Sequence, residues 1–174
     1  MTDDVYGIGT KFCWYDEAIY SLFLIGYTHS GRFHPGMLYN DVVIPVGAII
    51  NEAHIRFQNS TSSGTAQCKL QANDTITPSI PTTVAGANGL AKTTAYVMLS
   101  PSGGSGDYWN SPDMKDIIQE LVDSYDYSAG EPMMFAAFDI GGSPTWYHYL
   151  DPLNPTLYIT YTALGGRKVQ VMFV

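Results

Sequence analysis

The sequence predicts an all-β chain: a jelly-roll-like antiparallel β-sandwich with one short helix over about residues 112–125. Three observations carry this. Ala53, Ile55 and Phe57 alternate with His54, Arg56 and Gln58, a period of two that marks a half-buried antiparallel strand. Apolar runs of similar length follow one another with Gly, Pro, Asn and Ser between them, as in sandwiches and jelly rolls. A single segment, after Ser111, carries a helical stripe instead.

Strands are expected at residues 11–15, 19–27, 37–43, 53–57, 66–72, 95–99, 133–140, 157–162 and 169–174. The early apolar run at 18–26 is broken by Tyr20 and Ser21 and falls far short of the roughly 20 residues that span a bilayer. Pro45 and Gly47 end one strand and aim the next, because proline fixes φ and glycine reaches conformations closed to other residues. Cys68 lies on the apolar side of the alternation at 66–72. It reads as a small buried hydrophobe, with a bridge to Cys13 or to a neighbouring subunit as the alternative. In the helix, Ser111 is the expected N-cap, Pro112 the first helical residue and Asp113 a favourable charge at the positive end. Met114, Ile117, Ile118, Leu121, Val122 and Tyr125 then form one apolar face, which must dock on a sheet and is expected to cover an end or edge of the sandwich.

Met133-Met134-Phe135-Ala136-Ala137-Phe138 lacks alternation and predicts a central strand buried on both faces. After Gly165-Gly166 the apolar tail containing Val169, Val171 and Phe173 calls for a partner, either its own sheet edge or a neighbouring protomer, with the neighbour preferred as an assembly contact. The organisation expected is one domain. Residues 1–36 supply N-terminal strands that join the sandwich or an assembly contact, 37–162 the sandwich core, and 163–174 the strand-like tail.

At 174 residues the chain suffices for one domain that buries about 70% of its unfolded surface. With 45% hydrophobic and 14% charged residues, a disordered chain is excluded and much of the exterior must be Ser, Thr, Asn, Gly and Tyr. That texture is common to extracellular β-proteins and virion proteins. The net charge of −8, with no cation cluster beyond Arg167-Lys168, argues against a nucleic-acid partner. The N-terminal Met-Thr-Asp-Asp resembles no secretory leader, so the chain is expected to fold in the host cytoplasm without a signal peptide, and no membrane partner is expected.

No nucleophile elbow, phosphate loop, dinucleotide fingerprint or zinc-type spacing appears, so no catalytic residue, metal or cofactor is expected. His29 and His34 flank a turn without a third ligand, and His54 and His148 read as surface or packing residues. Asp3, Asp4, Asp16, Glu17, Asp74 and Asp107 do not form a dense calcium loop. The aromatics Trp109, Trp146, Tyr147 and Tyr149 are the remaining candidates for ligand binding. Their rings can stack on sugars, or can pack loops and fill contacts between subunits.

An ordered set of anchors resembles a known family. Leu38 to Ile50 followed by Ala53-His54-Ile55-Arg56-Phe57 is similar to an I-P-x-G-A-x-I-x-x-A-x-I-x-F core. Ser111-Pro112-Asp113-Met114-Lys115-Asp116-Ile117-Ile118-Gln119-Glu120-Leu121-Val122 resembles an S-P-D-L-x-x-I-V-Q-E-V-V helix. Ser128-Ala129-Gly130-Glu131-Pro132 is similar to the approach to a buried strand, and Pro155-Thr156-Leu157-Tyr158-Ile159-Thr160-Tyr161 to a closing P-x-L-x-I-x-Y strand. Together these resemble the DNRLRE-like, carbohydrate-binding-module-like β-sandwich domains of phage structural and bacterial surface proteins, over about residues 37–162. The resemblance implies a jelly-roll-like sandwich in an adhesive or virion setting and carries no catalytic residue across.

The expected function is therefore that of a non-enzymatic virion structural protein of a tailed phage. It would decorate the capsid or form part of the neck, tail or fibre, assembling with itself and other virion proteins. A carbohydrate-binding adhesion module that holds surface glycans is the alternative, and a polysaccharide-degrading enzyme the third reading.

Overall fold

The computed structural model describes residues 9–15, 18–20, 24–28, 31–63, 67–101, 103–139, 147–150 and 155–173, with side chains over 34–59, 67–101, 103–138 and 155–173. The elements in chain order are β1 (Gly9–Tyr15), β2 (Ala18–Tyr20), β3 (Leu24–Thr28), β4 (Gly31–Val42), β5 (Ile49–Ser63), β6 (Cys68–Ala72) and α1 (Val84–Asn88). Then follow β7 (Val97–Leu99), β8 (Tyr108–Asn110), α2 (Lys115–Ser124), β9 (Glu131–Asp139), β10 (Tyr147–Leu150), β11 (Thr156–Thr162) and β12 (Lys168–Phe173). Two four-stranded antiparallel sheets, β4-β9-β6-β7 and β12-β11-β5-β8, form the expected all-β sandwich.

The two longest strands explain how the sheets are tied. β4 pairs with β9 along one edge and with β1 along the other, and β1 in turn pairs with β2. The N-terminal end of β4 pairs with β3, β3 with β10, and β10 with the C-terminal end of β5. A chain of hydrogen-bonded strands therefore runs from one sheet into the other.

Alternation builds the core from both sheets. Met37 and Tyr39 of β4, Met133, Phe135 and Ala137 of β9, and Cys68, Leu70 and Ala72 of β6 face inward. They meet Ala53, Ile55 and Phe57 of β5, Leu157 and Ile159 of β11, and Val171 and Phe173 of β12. Each large side chain so buried contributes about 1.5–3 kcal/mol. Tyr39 joins the layers directly: its hydroxyl donates to the Pro155 carbonyl at 3.0 Å, and burial pushes that hydroxyl's pKa well up.

β9 is covered on both faces, as its unbroken apolar run predicts. Its outward residues Met134, Ala136 and Phe138 pack with Leu38 and with Ile80, Val84, Ala87 and Leu90 from the α1 region. Cys68 is a buried residue of the inner face.

The region after Ser111 differs from its expected local role. α2 begins at Lys115, and the residue at its N-cap, Met114, makes no side-chain cap. Ser111 is not the cap. Its hydroxyl accepts the Ile55 N–H at 3.0 Å, while its own N–H donates to the Ile55 carbonyl at 2.8 Å. Asp113 accepts the Ala53 N–H at 3.0 Å, and the Met114 N–H donates to the Ala53 carbonyl at 2.7 Å. Gln119 continues the row by accepting the Ile50 N–H at 2.8 Å and donating to the Ala48 carbonyl at 3.3 Å. The edge of β5 beyond β8 is thus finished by side chains that stand in for a strand, which removes an open template for pairing.

α2 also reaches the opposite sheet. Glu120 accepts the Thr94 N–H at 2.7 Å, the Ala95 N–H at 2.9 Å and the Thr94 hydroxyl at 3.0 Å, holding the segment that leads into β7. Ile117, Ile118, Leu121 and Val122 are buried between these anchors. The helix therefore clasps one open side of the sandwich.

The C-terminal tail finds its partner in its own chain. β12 pairs with β11 from Leu157↔Phe173 to Thr162↔Lys168, and Val171 and Phe173 enter the core while Val169 packs against it. Of the two partners expected for the tail, the pairing is with its own sheet edge. A three-residue return over Leu164, Gly165 and Gly166, with both glycines at positive φ, makes the local hairpin the shortest route to a partner.

Candidate functional site

The four aromatic candidates are distributed unevenly. Trp109, the middle residue of β8, is 9% exposed; its ring stacks on Phe57 at 4.5 Å and its N–H donates to Asn59 at 2.9 Å. Its indole is core packing, with its polar tip satisfied inside, and no ring face is presented to solvent. Trp146 lies outside the described residues. Tyr147 and Tyr149 belong to β10, in the link between the two sheets, and their side chains lie outside the described residues.

Other candidates resolve into local roles. His34 is tilted against Phe138 at 6.0 Å, and His29 and His148 lie outside the described side chains. Asp74 accepts the Tyr125 hydroxyl at 3.0 Å, a bond that together with the carboxylate's charge pushes that hydroxyl's pKa up. Asp107 accepts the Gly104 N–H at 2.7 Å and so closes its own turn. Among the described residues no group of three His, Cys, Asp or Glu side chains is placed to hold a metal ion.

Among the described residues two surfaces remain, both on the β12-β11-β5-β8 sheet. The first is its outer face. There the His54 ring stacks on Tyr158 at 4.9 Å, with the imidazole 3.7 Å from the Glu52 carboxylate. The Arg56 guanidinium lies over the Tyr108 ring at 4.4 Å, and Asn51 donates to the Thr162 hydroxyl at 3.0 Å. These contacts brace polar tips on a solvent-facing sheet, a usual condition for one face of an antiparallel sheet.

The second surface is the pole where β5 begins and the β11–β12 hairpin turns. The Ala48 N–H closes a β-turn onto the Pro45 carbonyl at 3.1 Å, with Gly47 at φ 73° in the position that requires left-handed backbone. The Gly165-Gly166 hairpin is closed by Ala163 N–H to the Arg167 carbonyl at 2.9 Å. The two turns touch: a Cβ built at Gly47 would stand 3.4 Å from the Leu164 side chain. Register places Ile49 opposite Thr162, and Thr162 opposite Lys168.

This arrangement leaves Val46 56%, Ile49 64% and Leu164 78% exposed, side by side. The other large exposed side chains include Tyr96 and Tyr108, and each of those carries a cation over its ring, Lys69 and Arg56 respectively. Among the described residues the three aliphatic side chains of the turn pole are the most exposed of the large aliphatic ones, with Val43 next at 36%. Val46 and Ile49 flank the turn that Pro45 and Gly47 predict, but alternation alone does not single them out, because the Leu164 hairpin that meets them arrives more than 100 residues later.

Neither a family model nor a curated protein matches the chain.

Proposed function

We propose that this chain is a non-enzymatic structural protein of a tailed-phage virion, a DNRLRE-like sandwich that decorates the capsid or forms part of the neck, tail or fibre and assembles with itself. The observation that carries this reading is the exposed apolar group of Val46, Ile49 and Leu164, held on two braced turns at one pole of a sandwich. Exposed apolar side chains held on rigid turns serve contact with another protein surface rather than chemistry in a cleft. The low share of charged residues, 14%, supports the same reading, since an assembled lattice shields surface that a solitary protein must keep charged.

The reading is tested on purified particles of the phage that encodes the chain. Antibody raised against the folded protein is expected to label intact virions at one repeated position, and quantitative mass spectrometry to return many copies per particle. Particles that lack the chain would refute it.

A second reading, carbohydrate adhesion, is favoured by the outer sheet face, where Arg56 lies over Tyr108 and His54 on Tyr158. With the Trp109 ring in the core, Tyr108, 55% exposed, is the aromatic that would meet a sugar. Glycan-array binding abolished by Tyr108→Ala would support this reading, and an array without signal would remove it.

A further inference from the structure

The turn pole has more structure than an apolar patch. Its centre is Val46, Ile49 and Leu164. On one flank, across β11, stand Arg167 and Lys168, both exposed, at the end of the hairpin and the start of β12. On the other flank stands α2, fixed to Ala48 and Ile50 through Gln119. Asp123 on that helix is exposed and accepts the Gln119 side-chain N–H at 2.8 Å, and Asp116 lies two turns earlier, also exposed. Adjacent strands are about 4.8 Å apart, so the basic flank and the start of β5 lie about 10 Å from each other, with α2 beyond on the far edge.

The order across the pole is therefore basic, apolar, acidic. A patch of that order is complementary to itself. Turned by a two-fold axis through its apolar centre, it sets the basic flank of one copy against the acidic flank of the other, while the apolar centres meet. This is the pattern of an isologous contact: an apolar centre, a polar rim, and the same residues on both sides.

We infer that the turn pole is a two-fold interface between copies of this chain, with Val46, Ile49 and Leu164 of each copy meeting at the axis and Arg167 and Lys168 facing Asp123 and Asp116 of the partner. Charge complementarity selects a second copy as occupant. Arg167 and Lys168 form the only adjacent cation pair in a chain of net charge −8, so another copy, rich in carboxylates, is attracted to that flank. The apolar centre covers a few hundred Å², the size of a functional patch on a monomer, whereas a stable interface buries roughly 800 Å² per partner. The charged flanks supply the remainder, which is why both are required. This inference rests on the self-assembly in the function proposed above and specifies its contact.

The experiment measures the mass of the purified full chain by sedimentation equilibrium from about 1 to 200 μM, with folding followed by circular dichroism. A dimer is expected. Leu164→Asp, at a side chain 78% exposed, is expected to give a folded monomer with an unchanged melting temperature. Lys168→Glu is expected to raise the dissociation constant about 3- to 30-fold, because a rim pair counts twice across a two-fold. Adding Asp123→Lys to Lys168→Glu is expected to recover affinity, which a loss of fold would not do.

A native chain that stays monomeric throughout the range, or a dimer indifferent to Leu164→Asp and to both charge reversals, overturns the inference. Virions that contain a chain monomeric in solution would sink the two-fold contact and leave the virion reading intact. A dimer absent from virions would do the reverse.

Discussion

Replacing Ser111 by alanine probes how the open edge of β5 is finished. The Ser111 hydroxyl accepts the Ile55 N–H at 3.0 Å; Ser111 is 6% exposed and Ile55 fully buried. Alanine removes one oxygen, opens almost no cavity and leaves that N–H buried with no acceptor. A buried donor deprived of its partner costs about 1–3 kcal/mol. For a domain of this size each kcal/mol lowers the melting temperature by about 2–4 °C, so a fall of about 2–12 °C is expected.

A cap at the helix start would cost a similar amount, typically about 1 kcal/mol, so stability alone does not separate the two roles. Amide hydrogen exchange does. With Ser111 bound to β5, the Ile55 amide loses protection in the variant, while the Phe57 amide, paired to β8, keeps its protection relative to the rest of the core. With Ser111 as a cap, the loss falls instead on the amides of Asp113 and Met114 at the helix start. Unchanged protection at Ile55 together with loss at 113 and 114 would refute the strand-edge account. Asp113→Ala is expected to expose both sites at once, since the Asp113 carboxylate accepts the Lys115 N–H at the helix start as well as the Ala53 N–H of β5, each at 3.0 Å.

Three further outcomes follow from the contacts. Trp109→Phe is expected to lower stability by about 1–3 kcal/mol, since it leaves the buried Asn59 side-chain oxygen without the indole N–H while preserving most of the stack on Phe57; urea denaturation checks this. Tyr39→Phe is expected to cost about 1–2 kcal/mol by the same measure, because the Pro155 carbonyl loses a buried donor without any loss of packing. Partial burial raises the Glu120 carboxyl, but the N–H groups of Ala95 and Thr94 and the Thr94 hydroxyl together hold it below its ordinary value. A carboxylate depressed in the folded state stabilises fully above its unfolded pKa, about 4.3, and loses that contribution as pH falls through the folded value. Thermal melts of Glu120→Gln are therefore expected to be lower than those of the native chain at pH 7 and to converge with them near pH 3. A constant offset across that range would refute the role given to the carboxylate.

The parts of the fold legible in the sequence are those fixed by neighbours in the chain. Ala53, Ile55 and Phe57 alternate because a strand with one buried face requires it. Met133 to Phe138 do not alternate because the α1 region covers their second face. The helix stripe from Met114 to Val122 also lies where expected. β8 and β10, of 3 and 4 residues, are too short for a period to declare itself, so neither is among the strands the sequence predicts. Asp113 serves both the helix start and the strand edge, through Lys115 and Ala53, whereas Ser111 resembles a cap in the sequence only because the same chemistry, a short side-chain oxygen accepting an N–H, serves either place. What differs is the donor, and Ile55 lies 56 residues away.

The C-terminal strand and the turn pole show the same division between local and distant causes. Val171 and Phe173 look adhesive in isolation, yet a double glycine lets the strand fold back on β11, and the core absorbs them. Val46 and Leu164 are unremarkable in isolation, since turns often carry a single apolar residue. Their meaning comes from being brought together: Gly47 and the Gly165-Gly166 hairpin set two turns in contact, and the side chains between them point outward from the core. The same closure that seats the apolar tail in the core thus also creates the exposed apolar pole. A variant that lengthens the 163–167 turn with polar residues would keep β12 in its sheet while displacing Leu164 from Gly47. It should preserve the melting temperature to within about 1 kcal/mol of stability, as surface-loop insertions do, and abolish self-association. Loss of the fold together with association would show that the tail, not the turn, holds the assembly.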